Sequence, residues 1–216
     1  MPGNAPHELL AASLDELKGV TEEGTRSVIK SDELSRRNRE RLLSTGYLEE
    51  VMRGWLAVNS RPSDIRRIDN AWSTVYWEFL QRYLDDRFGS DWCLSPQTSI
   101  ALWAENRTLM PQVVVRSPAA NNQMISMPGN TSMFLLRVRK PDPTVDHEGM
   151  RLMSKEDALI GIAKNTWTTA QTDVISVIGS IRGSATLSRV LLANGHSKLA
   201  GRIAGALRHL GSRARC

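Results

Sequence analysis

The sequence predicts an α+β protein: a winged helix-turn-helix over residues 1–60, then an α+β domain over 61–216 with long helices, a small, mostly antiparallel sheet and C-terminal helices. Three observations carry this reading. A short helix pattern, a turn, an Arg-rich helix and a hairpin pattern follow one another between Arg26 and Val58. Apolar residues then recur every three or four positions from Ile65 to Tyr83. Beyond them, three runs rich in β-forming residues are separated by turn formers.

Each element has its local reason. Leu9, Leu10, Leu14 and Leu17 fall at helical spacing within residues 8–18, and Gly24 closes that region. Val28 and Ile29 make a short apolar pair, and residues 32–35 fit a brief helix. Ser35 fits the N-cap of a second helix, 36–45, stopped by Gly46. Tyr47 to Val58 reads as two short strands turning near Arg53-Gly54. Residues 59–63 (NSRPS) have the composition of a linker.

The longest helix follows. Ile65, Ile68, Trp72, Val75, Tyr76, Phe79 and Tyr83 form its apolar stripe, with Arg66, Arg67, Asp69, Asn70, Ser73 and Arg82 opposite, and Gly89 ends it. Ser95-Pro96 starts another helix, burying Ile100, Leu102 and Trp103. Strands are expected at 112–116, 123–127 and 132–139, with one more at 150–153. Ser154 to Asp157 has the form of a capping box with Asp in the fourth place. Helices near 169–180, 184–193 and 197–210 complete the chain.

Composition narrows the function. Cys93 and Cys216 are the two cysteines, which fits a reducing, cytoplasmic compartment rather than a disulfide framework. No run approaches the ~20 apolar residues of a membrane helix, so no membrane is expected. The N-terminus has no basic residue ahead of a long apolar core, unlike a secretion signal. Net charge is +5, and the stretch after Asp173 has seven cations and no acid, which points to a polyanion or acidic partner or to a solvated helix face.

Catalytic chemistry finds no support. There is no phosphate-binding glycine loop, no paired CxxC and no HExxH. His7, His147, His196 and His209 lack nucleophile or ligand spacing, and His147 reads as a solvated loop residue. The adjacent pairs Asp85-Asp86 and Glu49-Glu50 split between two faces. The expectation is a non-enzyme with no catalytic residue, no metal site and no cofactor.

The Arg-rich helix carries the binding hypothesis. At about 100° per residue, with Leu42 and Leu43 inward, Ser35 and Arg39 also turn inward. Arg37, Glu40, Arg41 and Ser44 then point outward, and Arg36 and Asn38 flank. Arg39 needs an acid or a route to water, and Glu33 is a candidate partner. Outward arginines near a helix N-terminus suit the major groove of double-stranded DNA, and Asn can pair with adenine. The DNA-binding candidates are therefore Lys30, Ser31, Arg36, Arg37, Asn38, Arg41, Ser44 and, at the wing tip, Arg53. Residues 26–56 hold seven basic and five acidic side chains, so a solvated or protein-binding face is the competing reading. Single-stranded binding by the basic tail lacks an aromatic stacking pattern.

The stretch from Arg26 to Val58 resembles the N-terminal winged helix of AbiEi-type antitoxins: a Glu-Leu turn, the Arg-rich helix, then Gly46, Leu48, Gly54 and Trp55. The chain also resembles, over roughly residues 26–211, the region ahead of the Fic domain in some bacterial Fic proteins. The phrases that carry this are DELSRRNRERLLSTGYLEEVMRGWL (32–56), YWEFLQRYLDDRFGSDWCLSPQTSIALWAEN (76–106) and NGHSKLAGRIAGALRHLG (194–211). The resemblance implies an autorepressing antitoxin whose first part binds its operator and whose second part restrains a toxin. The alternative is a detached regulatory module that binds a Fic catalytic protein. The Fic motif HPFxxGNGR is absent, so nucleotide transfer is not implied, and residues 211–216 read as a truncated or frame-shifted remnant. Thr144 to Gly149 (TVDHEG) matches the loose inhibitory pattern of Fic regulators. Homo-oligomerisation is left open.

Overall fold

The computed structural model describes residues 6–59, 68–140 and 142–181, with 201, 203, 205 and 208 of the C-terminal stretch. The linker at 60–63, the start of the long helix at 65–67, and most of the expected helices at 184–193 and 197–210 lie outside them. The chain is α+β and forms two compact units, Met1–Arg87 with Ser126–Thr131, and Phe88–Ile125 with Ser132–Cys216. Among the described residues no helix is long and apolar enough to cross a membrane.

In the first unit, α1 (Pro6–Val20) leads to β1 (Val28–Lys30), α2 (Arg36–Ser44) and a hairpin of β2 (Leu48–Met52) and β3 (Trp55–Val58). The three strands make one antiparallel sheet in the order β1-β3-β2. The Val28-Ile29 pair is thus a strand, which its length concealed. Residues 31–34 form a turn rather than the expected helix. Four residues cannot repay the cost of nucleating a helix, and Glu33 closes the turn by donating its N–H to the Lys30 carbonyl at 3.2 Å. Gly54, with φ +85°, makes the hairpin turn.

Both faces of this sheet are covered. Leu56 packs with Leu17, Ile29, Leu34, Leu42 and Leu48 under α1 and α2. On the other face, Trp55 meets Phe79 and Tyr83 of α3 (Ile68–Phe88) edge-on, with ring centroids 5.9 and 6.1 Å apart. α3 also grips the β1 backbone. Glu78 accepts the N–H groups of Ser27 and Val28, and Arg82 donates to the Val28 carbonyl.

A second sheet joins β4 (Cys93–Leu94), β5 (Gln112–Ser117), β6 (Gln123–Met127) and β7 (Thr131–Arg137) in the order β4-β5-β7-β6. β5 runs parallel to β7 and antiparallel to β4. A small ribbon pairs β8 (Val145–His147) with β9 (Met150–Leu152). The apolar faces of α4 (Pro96–Trp103), α5 (Lys155–Gly161) and α7 (Gln171–Ser180) bury Ile100, Leu159, Val174 and Val177 together. A one-turn helix, α6 (Thr166–Thr169), precedes α7.

The local caps form. Ser95 Oγ accepts from the Thr98 N–H, and Ser154 Oγ from the Asp157 N–H. The reciprocal half of the expected capping box does not form. The shorter Asp157 carboxylate accepts from the Ser154 hydroxyl at 2.7 Å instead. His147, expected in a solvated loop, ends β8 and stacks on Trp103 with centroids 4.5 Å apart, because the β8-β9 ribbon holds it there.

Candidate nucleic-acid interface

α2 begins at a carboxylate supplied from elsewhere in the chain. Its own first turn has no acid. Glu16 of α1 fills that role, accepting the Ser35 N–H at 2.8 Å, the Ser35 hydroxyl at 2.9 Å and the Asn38 side-chain amide. A negative charge there complements the helix dipole. The Asn38 amide and the Ser35 N–H hold the Glu16 carboxyl below its usual range. Ser35 occupies the N-cap position, but its hydroxyl is committed to Glu16 and makes no cap bond of its own.

The inner flank of α2 is bound to α1. Arg41 Nη1 donates to Ser13 Oγ at 2.7 Å, to Asn38 Oδ1 at 2.9 Å and to the Leu9 carbonyl at 3.1 Å. Arg41 was expected to point outward with Arg37. It does not, because α1 packs along that side and sets the Ser13 hydroxyl and the Leu9 carbonyl within its reach. Asn38 is held in the same network. Arg39 turns inward as expected but donates to the Ser31 carbonyl. Glu33, its expected partner, pairs with Arg82 at 3.2 Å.

The outer face of α2 presents Arg36, Arg37, Glu40, Leu43 and Ser44, all exposed. Arg36 Nε pairs with Glu40 Oε1 at 2.8 Å, and each holds the other in its charged form: the Arg36 pKa is raised and the Glu40 pKa lowered. Ser44 donates to the Arg41 carbonyl. Arg37 is exposed and makes no hydrogen bond or ion pair with a described residue. Arg53, at the hairpin tip, is in the same position. Lys30 pairs with Asp86 and lies over the Trp55 ring, and the Ser31 N–H donates to the Gly54 carbonyl. The eight candidates thus divide by their commitments. Arg37 and Arg53 are unengaged among the described residues, and Arg36 shares its charge with an exposed acid. Ser44 is exposed with a local bond, and Lys30, Ser31, Asn38 and Arg41 serve the fold.

The reading from sequence placed Glu40 on this face but missed its pairing with Arg36, and it missed Glu16 altogether. The pairing was legible, with Glu40 four residues after Arg36. Glu16 lies 19 residues before Ser35, and no local rule connects them. No family model matches the chain, and no curated protein matches it.

Proposed function

We propose that the N-terminal unit is a winged helix that binds double-stranded DNA, and that the protein is an antitoxin-like autorepressor of a toxin–antitoxin type operon. The supporting observation is the element order: a helix, a strand, a turn, the Arg-rich α2, then a hairpin whose strands join β1 in the order β1-β3-β2. Arg37 on α2 and Arg53 at the hairpin tip are the side chains for the groove and the neighbouring phosphate. The resemblance to AbiEi-type antitoxins carries the operon-level part, together with a toxin partner and a cytoplasmic location. The reading involves no catalysis and no cofactor. Gel retardation of the DNA upstream of the protein's own reading frame is the test. The wild type retards it, and the double variant Arg37→Ala, Arg53→Ala does not. Equal retardation by both overturns the assignment of the surface.

One observation favours a second reading, a regulatory module that binds a Fic catalytic protein. Glu16 at the start of α2 and Glu40 on its outer face set carboxylates among the arginines. Such a mixed surface suits a protein partner better than a phosphate backbone. This reading predicts a stable complex with a separately encoded catalytic protein and no DNA retardation.

A further inference from the structure

The end strand β6 offers a second kind of surface. In the sheet order β4-β5-β7-β6 it has a neighbour on one side alone among the described residues. Exposed strand edges are usually blunted by charges, prolines, bulges or brevity. The opposite end strand, β4, is blunted by brevity, at two residues. β6 has five residues and contains neither a charge nor a proline. The uncharged run around it extends from Ser117 to Leu136, in a chain that is 24% charged.

One face of the sheet continues that edge with half-buried side chains, Arg116, paired with Asp142, among them. Met124 on β6 is 59% exposed. The Gln112 side chain reaches both the Met124 sulfur and the Ser132 hydroxyl, so these three share a face. By strand alternation, Val114 and Phe134, paired in the β5-β7 register, lie on it too, as does Leu136.

We propose that β6 pairs with β6 of a second copy of this chain, antiparallel about a two-fold axis close to Met124, joining two four-stranded sheets into one of eight strands. A two-fold axis sets a strand against its own sequence, so any charge on it faces a like charge nearby. Twenty uncharged residues remove that penalty. They also leave nothing for a charged partner to complement. The proposal does not rest on the DNA-binding reading.

Sedimentation of the full chain without DNA tests it. The wild type is expected to reach twice the 24.1 kDa of one chain as concentration rises. Met124→Lys and Met124→Glu, each alone, set like charges beside the axis and weaken the dimer by about tenfold or more. An equimolar mixture of the two restores it, which an unfolded variant cannot do. A wild type that stays monomeric overturns the proposal. So does a dimer that both variants leave unchanged, or a mixture that stays as weak as its components.

Discussion

Arg41 donates to Ser13 across 28 positions of sequence, and this contact fixes which face of α2 is free. With Arg41 turned toward α1, the outward surface of α2 is left to Arg36, Arg37, Glu40, Leu43 and Ser44. Arg41 is a residue of the fold, while Arg37 is available for a ligand.

Stability should therefore respond to one arginine and not the other. Arg41→Met removes the three bonds that the guanidinium donates to the buried Ser13 hydroxyl, the Asn38 amide oxygen and the Leu9 carbonyl, and costs about 1–3 kcal/mol. Arg37→Met costs under ~0.5 kcal/mol, as exposed substitutions do. Urea unfolding of the two variants beside the wild type checks the difference.

DNA affinity should rise when the outer face loses its acid. Glu40→Gln removes the carboxylate that neutralises Arg36. On the DNA-binding reading, affinity then increases by about fivefold, equivalent to ~1 kcal/mol. Fluorescence anisotropy at fixed salt measures it, and an unchanged or weaker affinity counts against α2 as the contacting helix.

The Glu16 anchor gives a pH dependence with a defined sign. Its carboxyl titrates below the ordinary 4.5 in the folded chain, chiefly through the Asn38 amide. A depressed folded pKa contributes stability that is present above the ordinary value and lost as pH falls through the folded one. Wild type and Glu16→Gln should differ in melting temperature at pH 6 and converge below pH 4.5. A gap that stays constant to pH 3 contradicts the assignment.

What the sequence displays is local chemistry, and what it conceals is long-range partnership. Ser95 and Ser154 cap helices because the N–H groups that donate to them lie three residues on. The hairpin at Gly54 is visible because the glycine and its flanking apolar residues are adjacent. Ser35 has the same local signal, but Glu16 takes its hydroxyl. Arg41 sits where helical phase points outward from Leu42. A second helix on that flank reverses its role. β1, β4 and β8 escape a reading by periodicity because each has two or three residues and is defined by its neighbour alone.

Cys93 should be chemically silent in the folded chain. Burial pushes its thiol up to about 12, so almost none is thiolate at neutral pH. In a Cys216→Ser background, a thiol reagent should label nothing without denaturant and one group per chain with it. Rapid labelling of the native protein contradicts the burial.

Gly161 marks a close approach between α5 and α4. A β-carbon there falls 2.6 Å from Cγ of Pro96, and the proline ring cannot swing aside. Gly161→Ala should cost about 1–3 kcal/mol of stability. Thermal unfolding followed by circular dichroism measures it, with Gly19→Ala as the control because its β-carbon meets nothing within 4 Å.

The most direct test of the DNA-binding account is the salt dependence of affinity for the upstream DNA, measured for wild type and Arg37→Ala. Each phosphate contact contributes about 0.9 to the slope of log K against log salt. The account predicts a steep negative slope for the wild type, shallower by about 1 if Arg37 meets a phosphate, or a uniform loss of affinity on the operator alone if it reads a base. Binding that is absent at low salt, or a slope and affinity that Arg37→Ala leaves unchanged, would contradict it.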